Sequence, residues 1–312
     1  MSQPTEQTFP RPHHRWQLRG RVLELGARTE IMGVLNLTPD SFSDGGRFVE
    51  PERAVEHGLR MLRHGASILD LGAESTRPGS HAGDPEHATV SAAEEQDRLL
   101  PVLGMLRRAR PEAVLSVDTY KAATARAALE AGADVINDVS GLHWDSEMAS
   151  VCVAAGCGVV LMHTRGRPEE WRQQSQLSAE AVVRMVTEGL EESLRRAREA
   201  GIADEAVVLD PGYGFGKRME ENFALLRGQR SLLALERPLL AGLSRKSFLR
   251  HALARRAGRE VGSRTAVEQA SLAGLTGAIL CGASILRVHS VAAASAAAAV
   301  ADMLLDAGET QV

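Results

Sequence analysis

Two hydrophobic patterns alternate along the chain. Short, unbroken apolar runs recur from residue 31 onward: IMGVL (31–35), SILDL (67–71), AVLSV (113–117), DVIN (134–137), GVVLM (158–162), AVVLD (206–210), PLLAGL (238–243) and SILRV (284–288). Such runs fit parallel strands covered on both faces. Between them apolar residues take helical spacing: Val55, Leu59, Leu62 and Ala66 share one helix face. Gly65, Gly132, Gly156, Gly201 and Gly282 each stand just ahead of a strand, where a helix ends most readily on glycine. The peptide GASIL occurs at 65–69 and again at 282–286, a faint echo of a repeated unit.

Eight strands with helices between them predict an α/β fold, a (β/α)8 TIM barrel, as one domain over residues 15–312. An open doubly wound sheet is the alternative, but nothing resembling GxGxxG follows the first run. WQLRGRVLELG (16–26) predicts a short hairpin closing the barrel floor, and residues 1–14 are expected to be disordered.

Composition narrows the function classes. Of 312 residues 44% are hydrophobic but only 4% aromatic, so the core must be aliphatic. A net charge of −4 gives no electrostatic case for nucleic acid or an anionic membrane as partner. Cys152, Cys157 and Cys281 form no CxxC pair, which argues against a disulfide framework or zinc site and suits the cytoplasm. No apolar run opens the chain, so no secretory signal is expected. The Ala-rich stretch 291–301 is far shorter than the roughly 20 residues of a membrane span and reads as a packed helix. The arginine patches at 107–110, 195–198 and 255–259 read as helix C-termini or solvated faces.

Polar residues collect where the runs end: Asn36, Glu74, Asp118, Asn137, Asp138, His163, Asp210, Lys246, Arg287 and His289. In a barrel of this type the C-terminal strand ends carry the active site. An isolated Asp or Asn there is more often a turn or cap residue; a whole ring is not. Two connections, 36–48 and 72–91, exceed what joining elements requires and carry Gly, Pro, hydroxyls and charge.

MGVLNLTPDSFSDGG (32–46), GAESTRPG (72–79), SVDT (116–119), INDVSG (136–141), LDPGYGFGK (209–217), LSRKSF (243–248) and RVH (287–289) resemble, in order and spacing, the successive motifs of the dihydropteroate synthase family of pterin-binding barrels. Small departures are GAES for the commoner GGES and MHTRG (162–166) for MHMRG.

The resemblance implies displacement of diphosphate from a dihydropterin methylene by the amine of p-aminobenzoate, with no covalent enzyme intermediate. It implies a pterin site of Asp118, Asn137, Val139, Met162, Asp210, Phe215 and Lys246, its acceptors meeting the guanidine-like ring edge. Asn36, Thr76, Arg77, Arg287 and His289 would hold the diphosphate, and Phe42, Thr76, Pro78, Phe215, Lys246 and Ser247 the p-aminobenzoate. Asp118, Lys246, Arg287 and His289 would be the catalytic set, and Asn36 with Asp44 the Mg2+ ligands. A homodimer through late barrel helices and sulfonamide inhibition belong to the same expectation.

Two other readings compete. A corrinoid-linked methyltransferase on a related barrel would use Asp118, Asn137 and Asp210 but leaves STRPG, SRKSF and the Arg287–His289 pair unexplained. A non-catalytic paralogue would be expected to have lost a pocket residue, and the ring above is intact.

Overall fold

The computed structural model describes residues 11–38, 51–76, 82 and 90–306. A two-stranded antiparallel hairpin, β1 (His14–Leu18) and β2 (Arg21–Leu25), comes first. The parallel strands follow as β3 (Glu30–Asn36), β4 (Ile68–Gly72), β5 (Val114–Asp118), β6 (Val135–Asp138), β7 (Gly158–Met162), β8 (Val207–Asp210), β9 (Leu239–Ala241) and β10 (Ala283–Val288). They pair in chain order and β10 closes onto β3, giving a shut (β/α)8 barrel. Its helices are α1 (Pro51–Arg63), α2 (Ala92–Ala109), α3 (Ala122–Glu130), α4 (Met148–Ala155), α5 (Ala179–Ala200), α6 (Met219–Gly228), α7 (Ser247–Ala257), α8 (Arg264–Leu280) and α9 (Val291–Asp306). Two helices, α7 and α8, lie between β9 and β10, where the simplest barrel needs one.

Each of the eight predicted runs holds a strand, and the predicted glycine stops are present. Gly156 and Gly201 cap α4 and α5 in the left-handed conformation, at φ 59° and 95°, which costs glycine no side-chain clash. Of the expected loose stretch 1–14, residues 1–10 lie outside the described residues. Arg11 is buried, its guanidinium paired with Asp302 of α9 at 2.5 Å, and β1 starts at His14.

Side chains alternate across each strand, and that alternation builds two separate cores. Outward residues such as Leu69, Leu71, Leu115, Val117, Val159 and Leu161 pack into the main cluster with helix residues such as Leu99, Leu103 and Leu190. Inward residues at the strand starts make a second cluster: Met32, Ile68, Val114, Val135, Val160, Val208, Leu240 and Ile285. The hairpin inserts Trp16, Leu18 and Leu25 into it, sealing the floor. Trp16 keeps its indole N–H satisfied on the Ala206 carbonyl at 2.9 Å, which removes the cost of burying an unpaired donor. The plug sits tightly on β7: a Cβ built at Gly158 would lie 2.6 Å from Leu18 and 3.2 Å from Trp16.

Candidate functional site

One step of the pleat above the floor, about 6.6 Å along each strand, the inward positions change character. Ile68 gives way to Asp70, Val114 to Ser116 and then Asp118, Val135 to Asn137, Val208 to Asp210 and Ile285 to Arg287. Arg287 organises this layer. Its Nε donates to Asp70 at 2.6 Å and a terminal nitrogen to Asp118 at 2.5 Å. The Asp70 carboxylate also accepts from Ser116 Oγ at 2.7 Å and Asn137 Nδ2 at 3.1 Å. A fully buried aspartate thus has a cation and two neutral donors, the condition under which a buried charge is tolerated.

Asp210 stands across the mouth. One carboxylate oxygen accepts the Gly212 N–H at 2.7 Å. The floor leucine Leu240 is followed at the same parity by Gly242, where a Cβ would come 3.7 Å from Asp210 Oδ2 and 3.9 Å from the Arg287 Cβ. Glycine there leaves open the space between those two side chains. Lys217, also buried, ties the turn beyond Asp210: its Nζ donates to the carbonyls of His163 and Gly212 at 2.9 and 2.7 Å.

The Lys246 ammonium lies 3.9 Å from the centre of the Phe215 ring, a cation–π contact. It is delivered by a strained turn in which Arg245 has φ 61°, a conformation costing a non-glycine residue on the order of 1–3 kcal/mol. Arg245 is held there by its N–H on Ser271 Oγ at 3.0 Å and its guanidinium on Glu268.

The charged groups perturb one another as close neighbours should. Burial pushes Asp118 up to about 7, Arg287 pulling against the rise and Asp70 adding to it. Burial likewise raises Asp210, opposed by the Gly212 N–H and by Lys246. Lys246 falls to about 8, through burial and then the repulsion of Arg287, with Asp210 and Asp118 opposing. His289 drops to about 3 under burial and the charges of Arg245, Arg287, Lys246 and Arg264, so at neutral pH it is uncharged. Its Nδ1 sits 3.0 Å from Ser244 Oγ.

Beside this mouth a cleft of about 550 Å³ is lined by Asn36, Glu56, Arg53, Arg60, Arg245, Arg264 and His289, with Val34 and His57. Four arginines around one cleft suit a multiply charged anion. Asn36, whose side chain makes no hydrogen bond among the described residues, opens into it from the end of β3. An apolar wall closes the other side, where Val139 and Met162 cluster with Tyr120 and Ala82 and with the flanking Trp144 and Phe215. That cluster is distinct from both barrel cores, so Val139 and Met162 are mouth residues.

The structure therefore brings together Asn36, Asp118, Asn137, Val139, Met162, Asp210, Phe215, Lys246, Arg287 and His289. Thr76 is half-buried at the end of its described segment, and Ser247 is exposed as the first residue of α7. Phe42, Asp44, Arg77 and Pro78 lie outside the described residues. Three residues of the predicted ring do not point into the mouth; Glu74 is taken up in a buried ion pair with Lys121 at 2.5 Å. The His163 ring packs outward against Gly189 of α5, and Asp138 accepts the N–H groups of Ser140 and Leu142, both at 2.8 Å, as a turn residue. Sequence reasoning missed Asp70, Ser116, Lys217, Gly242 and the arginines of the cleft. Among the described residues no group of three or more His, Cys, Asp or Glu is arranged to hold a metal by itself.

A family model described as pterin binding enzyme matches residues 32–289. The chain is 38% identical over 285 residues to the dihydropteroate synthase of Synechocystis sp., covering 91% of this chain and 92% of that one. It is similar to the solved structure of the Yersinia pestis dihydropteroate synthase in complex with a sulfonamide drug: TM-score 0.82, 37% identity, 94% and 99% of the two chains covered. The Xanthomonas albilineans dihydropteroate synthase with 4-aminobenzoic acid aligns at TM-score 0.80 and 39% identity, over 94% of this chain and 98% of that one.

Proposed function

The chain belongs to the dihydropteroate synthases, a family of pterin-binding transferases of folate biosynthesis, and from that premise we propose how its mouth joins a dihydropterin diphosphate to p-aminobenzoate. The observation that carries the reading is Arg287. It comes from the last strand yet bonds Asp70 and Asp118 of the second and third barrel strands, with Asp210 and Lys246 facing the same space.

The pterin lies against the Val139–Met162–Phe215 wall, its guanidine-like edge donating to Asp210 and Asn137. Acceptors buried from water give those bonds their selectivity, since a ring lacking the donors would leave a carboxylate unpaired. The diphosphate extends into the arginine cleft beside Arg287, His289 and Asn36. As the C–O bond to diphosphate breaks, the arylamine nitrogen bonds the methylene carbon and gives up one proton to solvent, and diphosphate leaves with the bonding electron pair. Positive charge that develops on the pterin is met by Asp118 and Asp210 in a site largely shielded from water, where fixed charges act strongly. Uncharged His289 is suited to donating a hydrogen bond to the departing anion. Lys246, over Phe215, stands where pterin and p-aminobenzoate meet, with Thr76 and Ser247 on the arylamine side.

Mg2+ fits as a substrate-borne ion. Its ligands are commonly one or two protein groups plus phosphate oxygens, and an unengaged Asn36 carboxamide in an anion cleft supplies that minimum. When bound it adds positive charge against the leaving group. The chain also acts in the cytoplasm on this reading, supported by three free cysteines, and no described helix is long and apolar enough to cross a membrane. It works as a homodimer, supported by Val300, Met303 and Leu304, exposed together on α9. Sedimentation at micromolar concentration tests the dimer, and a purely monomeric chain would overturn it.

Purified protein mixed with dihydropterin diphosphate, p-aminobenzoate and Mg2+ is expected to release dihydropteroate and diphosphate in equal amounts. Absence of both products would instead favour the non-catalytic paralogue. Sulfonamides are expected to inhibit competitively with p-aminobenzoate; inhibition that excess p-aminobenzoate does not relieve would count against the arylamine placement.

A further inference from the structure

Below the arylamine side of the mouth lies a buried ionic cluster that the reaction itself does not use. Lys121, on the turn between β5 and α3, donates from Nζ to Glu74 at 2.5 Å and to Glu95 of α2 at 3.3 Å. Thr124 Oγ1 donates to the same Glu95 oxygen at 2.7 Å. Both carboxylates are almost fully buried, and the lysine is nearly so. Burial lowers Lys121, but the attraction of Glu95 and Glu74 outweighs it and the group stays cationic.

Glu74 begins the second long connection, two residues past the end of β4 and two before Thr76. Its other carboxylate oxygen, Oε1, is buried with no hydrogen-bond partner among the described residues, so among them Lys121 fixes the direction of that side chain. The neighbouring Ala73 is buried, and its carbonyl accepts from Arg98 of α2 at 3.1 Å. Further along the connection, Ala82 packs with Tyr120, the residue before Lys121. The 120–121 step thus holds the connection at Glu74 by charge and at Ala82 by packing.

We propose that Lys121, acting through Glu74 with Glu95 as its second anchor, is a positioning residue for the p-aminobenzoate side of the site. Among the described residues the ammonium is the one cation paired with both buried carboxylates. Without it they repel each other and lose solvation, and the cheapest relief is for Glu74 to swing to water and carry the Gly72–Thr76 segment with it. Lys121 makes no hydrogen bond or ion pair with the pterin residues among the described residues, so its loss is expected to act chiefly through the Gly72–Thr76 segment. The inference rests on the reading above that Thr76 faces p-aminobenzoate.

The test is a split between the two substrates in Lys121→Met, with Lys121→Arg as the conservative variant and Thr76→Val as the probe of the underlying reading. Displacing the segment by an ångström is expected to raise KM for p-aminobenzoate on the order of 10-fold or more. Calorimetric binding of a 6-hydroxymethyl dihydropterin without its diphosphate should stay within about 2-fold, and Lys121→Arg should recover most of the KM. A parallel weakening of both substrates, or an unchanged KM in folded Lys121→Met, overturns the proposal. If Thr76→Val raises KM while Lys121→Met does not, the anchoring role alone fails. If neither does, the p-aminobenzoate placement fails as well. Should Lys121→Met not fold, Glu74→Gln alone, which breaks the closer ion pair while Lys121 still balances Glu95, must raise KM for p-aminobenzoate, and an unchanged KM there overturns the proposal.

Discussion

The barrel floor and the barrel mouth are built from the same strands, one pleat step apart, and they solve opposite problems. The floor fills its inward positions with Val, Ile, Leu and Met and plugs the opening with Trp16, Leu18 and Leu25, whose one polar group, the Trp16 indole N–H, is met by the Ala206 carbonyl. The mouth places Asp70, Asp118, Asp210 and Arg287 at the same parity, pairs Arg287 with Asp70 and Asp118, holds Asp210 on the Gly212 N–H, and brings Lys246 in from the turn after β9 over the Phe215 ring. Stability is concentrated below and chemistry above, because a buried charge is tolerated only where its neighbours are fixed. Gly242 and Gly158 show the same contrast in miniature: one leaves room for a ligand, the other leaves room for the plug.

The comparison can be broken by changing one region and reading both. The largest effect is expected from Arg287→Ala, which leaves Asp70 and Asp118 without their cation. Loss of a preorganised charge of this kind predicts kcat/KM lower on the order of 10³-fold. Arg287→Lys should recover only part, since an ammonium on a flexible stem lacks the planar, pre-set fork that meets the two carboxylates at fixed angles. Steady-state kinetics on folded protein check this; activity within a few-fold of the parent would place the chemistry elsewhere.

Gly242→Val fills the space between Asp210 and Arg287 and should cut kcat/KM on the order of 10²-fold while the thermal midpoint barely moves. A loss of folding in step with activity would make Gly242 a packing residue. At the floor the expectation reverses. Trp16→Ala should cost about 3–5 kcal/mol in denaturant unfolding, with kcat/KM of the folded fraction unchanged within about 2-fold. Gly158→Ala, pressed against Leu18 and Trp16, should cost about 1–3 kcal/mol by overpacking, again with little change in kinetics.

The smallest effect is on pH. Asp118 carries its charge above about 7 and Lys246 keeps its charge below about 8. A site that needs both charged should show a bell-shaped kcat/KM with its maximum between those values. The two arms belong to the coupled cluster rather than to single residues. A profile flat from pH 6 to 9 would contradict the paired-charge picture.

How much of this the sequence revealed follows from the strand parity. The eight strands were legible because outward and floor positions are both apolar, so each strand stands out as an unbroken run. For the same reason Asp70 and Ser116 were absorbed into SILDL and AVLSV as strand residues, although they fall two places after the floor residues Ile68 and Val114. Asp138 and His163 were drawn into the ring because they end strands, yet each lies one place past an inward residue, Asn137 or Met162, and so faces outward. Parity would have corrected all four. The turn tied by Lys217 and the cleft shared by Arg53, Arg60, Arg245 and Arg264 depend on contacts between distant segments, which no local pattern encodes. The family motifs, by contrast, were readable because they record the mouth residues themselves.

The central claim is that Asp210, Lys246 and Arg287 converge on one bound molecule. A crystal structure with a pterin and diphosphate bound tests it directly. It should show the ring edge bonded to Asp210 above the Met162 wall, Lys246 within reach of the ring, and the diphosphate between Arg287, His289 and Asn36. A pterin seated anywhere that leaves Asp210 and Arg287 bonded only to protein would contradict the account.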